Sequence, residues 1–188
     1  MKRLSILALA CTAGLTLSLA STAASACADA RWQVKVGADL DAPKIAQTPV
    51  DSSVEALARL PAPADAPPRE DSRYAPAELT VYRVHATITR ITRGKDNGLH
   101  IVIADGKGRT MIAESPDPSC ATGSRFEAQI WMARDAIDRH IGRDIKDKQN
   151  LHVPVTLTGV GFFNKPHSQP GAAKNGIELH PLLEVSFD

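Results

Sequence analysis

Two histidines and a glutamate lie close together near the C-terminal end of the sequence. Glu178 and His180 are two residues apart in the segment IELHPLLEV, and His167 precedes them in a loop. Side chains two apart on a strand point to the same face, so Glu178 and His180 would lie side by side. Two imidazoles and one carboxylate suit a divalent metal ion such as zinc. The spacing therefore predicts a metal site, which His167 would complete by folding back over the strand.

The same residues also have a purely structural interpretation. They form no compact ligand motif such as H-E-x-x-H. If the apolar residues of this strand face a barrel interior, Glu178 and His180 face outward or line a groove, where such side chains commonly contact water. Pro166 and Pro170 would then shape an ordinary turn. The turn is the more common arrangement, and the position of His167 decides between the two.

A second group of potential ligands lies in the middle of the chain and comprises Asp96, His100, Asp105, Glu114 and Asp117. Carboxylates that converge at one end of a barrel can hold a hard cation for phosphodiester hydrolysis. The three aspartates are predicted turn residues, however, and short carboxylates in turns usually accept local backbone hydrogen bonds. We retain His100, Glu114 and Asp117 as candidate site residues beside the first group.

A basic strand is the third feature of the sequence. Arg83, His85, Arg90, Arg93 and Lys95 lie on or just after the first predicted strand, and such a strand can follow a phosphate backbone. Stacking aromatic residues should accompany it, but the nearby tyrosine falls on the apolar face. The pattern favours a solvated strand over a surface for single-stranded nucleic acid.

The sequence lacks the motifs of common enzyme classes: it has no glycine-rich phosphate loop, no G-x-S-x-G and no C-x-x-C pair. The sequence has 22 basic and 21 acidic residues, and two of the basic residues lie in residues 1–26. If residues 1–26 are removed as a signal peptide, as argued below, the remaining chain has 20 basic and 21 acidic residues and a net charge of −1. A near-neutral chain exerts no global attraction on nucleic acid or anionic membranes. We therefore expect no nucleic acid partner, and we expect a monomer.

Residues 1–26 have the organisation of a signal peptide. Lys2 and Arg3 form a positive start, an apolar run follows over residues 4–20, and an Ala-Ser-Ala sequence at 24–26 offers the small residues that a signal peptidase requires. No later stretch approaches the ~20 apolar residues of a membrane span. We therefore predict that the mature protein is periplasmic or secreted.

The three cysteines leave more than one outcome open. Cys11 lies in the predicted signal peptide, and cleavage just before Cys27 would leave Cys27 and Cys120 to pair in an oxidising compartment. Lipidation of Cys27 would instead anchor the protein to a membrane, although Ala24 stands where a lipobox has a larger aliphatic residue. Cleavage after Ala28 would leave Cys120 alone. We favour soluble export with a disulfide over a nucleophilic role for Cys120.

The rest of the chain is predicted to form five strands and one helix. Alternating or β-branched runs predict strands over residues 79–93, 99–104, 109–114, 151–163 and 177–187. Apolar residues spaced by four and three predict a helix over 126–141, capped by Ser124 and ended by Gly142. The order β-β-β-α-β-β is that of the OB-fold, a five-stranded barrel, so we predict a mainly β protein with one helix. An open α+β sheet is the alternative.

The domain organisation follows from composition. Residues 27–76 include a proline-rich stretch and are predicted to be a flexible Pro/Ala-rich segment. One short helix of about two turns is predicted after Ser53, because Val54, Leu57 and Leu60 fall at helical spacing. The OB-like domain would then occupy residues 77–188.

Two segments resemble a family of exported bacterial proteins that has no established activity. They are GRTMIAESPDPSC, residues 108–120, and GVGFFNKPHSQPGAAKNGIELHPLLEV, residues 159–185. The resemblance covers roughly residues 79–187 and implies export and one compact domain. Where the family has Asp and Gly, this chain has Asn164 and Ser168, and a missing carboxylate at 164 would weaken a metal site.

These observations lead to two hypotheses about function. The first is an exported, non-catalytic binding module, because OB-like barrels commonly bind oligosaccharides, oligonucleotides or peptides. The second is a metal-assisted hydrolase, similar to a phosphodiesterase or nuclease, that uses His167, Glu178 and His180 with a divalent metal as the cofactor. The distance between these three side chains is the observation that separates them.

Overall fold

The protein is described by a computed structural model that covers Cys27 and residues 30–64, 71–165 and 169–188. Its centre is a closed barrel of five strands, which confirms the predicted mainly β, OB-like architecture. The predicted signal peptide and His167 lie outside the described residues. Within the covered ranges, no helix is long and apolar enough to cross a membrane.

The described residues form seven strands, three α-helices and three short 3-10 helices. The strands are β1 (Val50–Ser52), β2 (Val81–Arg93), β3 (Leu99–Ala104), β4 (Thr110–Ser115), β5 (Asp147–Lys148), β6 (Val153–Phe163) and β7 (Ile177–Phe187), and the helices are α1 (Trp32–Val36), α2 (Val54–Ala58) and α3 (Glu127–Ile141). The ring runs β2-β3-β4-β7-β6, and β6 pairs with β2 again to close it. β4 and β7 are parallel, whereas the other ring pairs are antiparallel. β1 and β5 extend the sheet by pairing with β2.

The helix α3 follows the apolar spacing predicted for it. Phe126, Ile130 and Ile137 are at most 1% exposed, so the apolar stripe packs inward while the opposite face meets solvent. The Ser124 hydroxyl accepts a hydrogen bond from the Phe126 amide at 2.9 Å. Gly142 follows the last helical residue. The helix ends at the predicted Gly142, whereas its N-cap residue is Phe126, two residues after the predicted Ser124.

The core-facing pattern of β7 departs from strict alternation. Strict alternation along residues 177–187 predicts that Leu179 and Leu183 face the same side. Leu179 does lie in the barrel core, but the next core residue is Leu182 and not Leu183. The β6–β7 register shifts at Gly159, where β7 carries extra residues. Such a bulge reverses which side chains face inward. Leu183 consequently packs in a second apolar cluster outside the barrel, together with Trp32 of α1.

Residues 30–64, which lie in the segment predicted to be flexible, contribute buried side chains to the fold. Trp32, Val34 and Val36 are buried against the barrel, and Val54 and Leu57 of α2 join the main core. The segment looked like a linker because its apolar residues are few and interrupted by prolines. Its order comes from long-range packing, which local composition does not report. The predicted short helix is confirmed as α2, where the Ser53 side chain accepts a hydrogen bond from the Ala56 amide.

One buried ion pair joins the N-terminal segment to the domain that contains the barrel, and a second lies within the segment. Arg31 donates to both carboxylate oxygens of Glu78, at 3.0 and 2.7 Å. Arg73 pairs with Asp39 through a shortest contact of 2.6 Å, and both of those side chains are fully buried. Because a carboxylate without its cation would be costly at this depth, each pair fixes the segment in one position.

The predicted cysteine pair is at disulfide-bonding distance. Cys27 and Cys120 have Cα atoms 5.5 Å apart across 93 residues of sequence. The Trp32 indole donates to the Cys120 carbonyl oxygen at 3.2 Å. The disulfide therefore ties the start of the described chain to the loop that follows β4.

The arginines of β2 form ion pairs and hydrogen bonds with other parts of the protein. Arg90 makes two hydrogen bonds of 2.9 Å to Asp147 of β5. Arg93 donates to the Ile145 carbonyl oxygen at 3.0 Å. Arg83 pairs with Asp51 of β1 at 3.3 Å. These contacts agree with the predicted solvated strand and attach β1 and β5 to β2.

Candidate metal centre

Three of the predicted site residues meet on adjacent strands of the barrel. β4 and β7 run parallel with Ile112 opposite Glu178, and this register sets Glu114 beside His180. One ligand atom from each of Glu114, Glu178 and His180 lies within 4.8 Å of the others. His180 Nδ1 lies 3.3 Å from Glu114 Oε2. The sequence placed Glu114 in a separate group, since the pairing of β4 with β7 is not visible in it.

All three side chains are buried, although they point away from the barrel interior. Glu114 is 6% exposed, and Glu178 and His180 are each 1% exposed. The expectation that Glu178 and His180 contact water is therefore wrong. The outer face at this point is covered: the Phe162 ring contacts His180 edge to face with centroids 5.4 Å apart, and the N-terminal segment lies over it, with Lys35 of α1 5.8 Å from the Phe162 ring centre.

Each carboxylate has one oxygen held by an outer residue. His100 Nδ1 is 3.1 Å from Glu114 Oε1. The Asn164 amide donates to Glu178 Oε1 at 3.1 Å. These outer contacts leave Oε2 of each carboxylate for the interior of the cluster, as outer residues do when they orient metal ligands.

Glu178 Oε2 has no hydrogen-bond partner in the described part of the chain. Buried carboxylate oxygens are normally satisfied by donors or by a cation, because an unmatched one costs several kcal/mol, of the order of 2–7. The neighbouring carboxylate of Glu114 makes this position still less favourable for a second negative charge. A proton or a cation at Glu178 Oε2 would therefore be favourable.

The two carboxyl groups titrate in opposite directions. Burial raises the pKa of Glu178 to about 8, and the charge of Glu114 adds to this effect. Burial alone would raise the pKa of Glu114 as well, but the attraction of His180 and the hydrogen bond from His100 hold it at about 2. The hydrogen bond to Glu114 in turn raises the pKa of His100. Near neutral pH the metal-free cluster thus holds Glu114 ionised and Glu178 protonated.

These shifts predict how the stability of the metal-free protein depends on pH. The pKa of Glu178 rises from an ordinary 4.5 to about 8 on folding, so its stabilising contribution is complete below pH 4.5 and is lost as the pH rises through 8. Glu114, with a lowered pKa, contributes nothing to the slope in this window and loses its contribution only toward pH 2. Urea denaturation between pH 5 and 8 in the presence of chelator should show stability falling by up to about 1.4 kcal/mol per pH unit. A slope that is unchanged in Glu178→Gln would contradict this assignment.

The other predicted site residues have different roles. Asp117 accepts hydrogen bonds from the Ser119 amide at 3.0 Å and from the Asn97 side chain at 2.6 Å. Asp96 and Asp105 accept from backbone amides in their own turns. The three aspartates therefore shape turns, as the sequence suggested. His167 lies outside the described residues. Of the predicted ligand set, the structure therefore describes Glu178 and His180.

Sequence reasoning missed one contributor and misjudged another. Lys35 is 5% exposed, but the run WQVKV carries no signal of this, since a lysine beside buried residues can extend its charge to solvent. Asn164 was noted only as a missing carboxylate. In the structure its amide supports Glu178, so its effect is on the orientation of that ligand.

A cavity of about 340 Å3 adjoins the cluster on the His100 side. Arg90, Arg93, His100 and Gln169 are among its lining residues, and the Gln169 amide is 2.9 Å from His100 Nδ1. His100 therefore connects the buried carboxylates with a solvent-facing depression.

No protein-family model matches the chain, and no curated protein matches it. Among solved structures, one similar chain comes from Leishmania major Friedlin and is assigned as an aspartyl-tRNA synthetase, with 10% sequence identity and a TM-score of 0.46. That match covers 76% of this chain and 21% of the other. This chain thus spans about a fifth of that protein.

Proposed function

We propose that this protein is an exported, non-catalytic binding module whose ligand is a divalent metal ion held by Glu114, Glu178 and His180. The observation that carries the proposal is the buried Glu178 carboxylate, whose Oε2 has no hydrogen-bond partner in the described residues. It belongs to a set of ligand atoms that all lie within 4.8 Å of one another. A cation between them would satisfy this oxygen and offset the charge of both carboxylates.

The donor chemistry favours a transition metal over calcium or magnesium. An imidazole nitrogen with two carboxylates suits zinc or manganese, whereas calcium and magnesium take oxygen ligands. Tetrahedral zinc with bonds of ~2.1 Å holds its donors ~3.4 Å apart. The cluster would therefore need to contract by little more than about 1 Å from its upper separation of 4.8 Å.

A metal-assisted hydrolase is the second candidate, and the cavity beside His100 is the observation that supports it. A substrate would have to reach the ion through that depression. The burial of all three ligands to 6% exposure or less favours binding over catalysis, since a catalytic metal keeps an open position for water or substrate.

Metal analysis of protein purified without chelator tests the proposal. We expect one zinc or manganese per chain, and a rise in melting temperature when either ion is added to chelated protein. Metal content near zero, with no thermal shift for any divalent ion, would refute it. Hydrolysis of a phosphodiester substrate that is lost in His180→Ala would move the conclusion to the second candidate.

Export is the other part of the proposal. The signal-like residues 1–26, the resemblance to exported bacterial proteins and the Cys27–Cys120 pair all support an oxidising compartment. Mass spectrometry of the mature protein should find an unmodified N-terminus that retains Cys27. An acyl adduct on Cys27 would indicate a lipoprotein instead.

A further inference from the structure

We propose that Lys35 is a built-in cation of the metal centre and that it sets the affinity of the site by competing with the ion. This inference rests on the proposed function and adds to it the residue that regulates ion binding. The relevant observations are the burial of Lys35, its place beside the aromatic ring that covers His180, and the rigidity of the helix that carries it.

Lys35 projects from α1 toward the covered side of the cluster. The residue is 5% exposed, and its Nζ lies 5.8 Å from the centre of the Phe162 ring. The same ring also contacts His180, at 5.4 Å between centroids, and the Arg31 guanidinium, which pairs with Glu78, at 4.7 Å. The buried Lys35 ammonium therefore lies beside the ring that covers His180 and the two carboxylates next to it. The ammonium group thus supplies part of the positive charge that two adjacent carboxylates require.

The helix that carries Lys35 has little freedom to move away. Arg73 donates to the Val34 carbonyl oxygen at 2.7 Å, and the Ser124 hydroxyl donates to the Val36 carbonyl oxygen. Gly37, which ends α1 with a φ of +72°, lies so close to the Phe126 ring that a Cβ atom would clash with it. These contacts hold the backbone on both sides of Lys35.

A fixed positive charge at this position has two opposite effects. Without metal it stabilises the carboxylates, since a cation near buried acidic groups favours their ionised forms. With metal it repels the ion, because two cations in a poorly solvated site interact strongly. Removal of the charge should therefore increase the affinity for the metal ion and lower the stability of the metal-free protein.

The test is a zinc titration of the full mature chain and of Lys35→Met, which keeps the length and apolar stem of the side chain without its charge. Lys44→Met is the matched control, because Lys44 is exposed and pairs with Asp41 in the same segment. We expect Lys35→Met to bind zinc at least about tenfold more tightly than the wild type and Lys44→Met to bind as the wild type does. Melting temperatures in chelator should fall for Lys35→Met only. If Lys35→Met does not fold, Lys35→Gln takes its place in the zinc titration.

The outcomes separate this inference from the proposed function. Equal or weaker zinc binding by the folded Lys35 variants, with normal binding by the wild type, would overturn the role of Lys35 and leave the metal site standing. Failure of the wild type to bind zinc or manganese, with binding gained in Lys35→Met, would overturn the proposed function but support Lys35 as the resident cation. Absence of binding in every variant would overturn both.

Discussion

Replacement of Glu178 by glutamine is expected to lower zinc or manganese affinity by at least about 100-fold. Loss of an outer residue that orients a ligand already costs 10–100-fold in metal affinity, and Glu178 is proposed as a ligand itself. Glutamine has nearly the same shape, so Asn164 can still contact its side chain. The variant also removes the buried group whose pKa is raised to about 8, and the metal-free protein should become more stable at pH 8. Calorimetric titration and melting temperatures measure the two effects.

Glu184→Gln is the matched control for this experiment. Glu184 lies on the same strand and carries the same functional group, but its side chain is exposed and outside the cluster. We expect wild-type metal affinity for this variant. If both variants bind alike, Glu178 is not a ligand. Asn164→Ala should give an intermediate loss of about 10-fold, since it removes only the amide that orients Glu178.

Replacement of Arg31 by methionine is expected to destabilise the protein by about 3–5 kcal/mol, because it leaves a buried carboxylate without its cation. Glu78 is fully buried and accepts hydrogen bonds from Arg31, from the Tyr74 amide at 2.8 Å and from the Phe163 amide at 2.7 Å. The two backbone donors remain in the variant, but the positive charge is lost. Urea denaturation of the purified chain would measure the change in the free energy of unfolding.

Arg59→Met provides the comparison for this prediction. Arg59 also pairs with a glutamate, Glu55, but the arginine side chain is 70% exposed. Such pairs contribute about 0–1 kcal/mol. A loss of less than about 1 kcal/mol for Arg31→Met would show that the N-terminal segment is not fastened by its ion pair. It would also weaken the case that α1 is held rigidly over the metal centre.

The fold was largely predictable from local patterns. The limits of β3 and β7 agree with the sequence pattern, as does the position of α3 between the third and fourth barrel strands. Alternation and turn residues act between near neighbours, so they are visible in one sequence. The face of Leu183 was not predictable, because it depends on where β7 carries extra residues opposite β6.

The candidate site was predictable only in part. Spacing along β7 placed Glu178 beside His180. Residue type identified Glu114 and His100 as potential ligands in a second group. The sequence could not join the two groups, since that requires the parallel pairing of β4 with β7. It also led to the wrong expectation that the pair faces water.

The sequence by itself determined the chemical types available, the strand period that pairs Glu178 with His180, and the order of elements that forms an OB-like barrel. Only the tertiary structure decided that these side chains are buried with Glu114. The physical reason is that burial here comes from a distant segment: α1, held by the Arg31–Glu78 and Cys27–Cys120 contacts, covers the outer face of the barrel. That cover buries Glu178 and His180, which the strand period alone would leave on the outer face, beside Glu114.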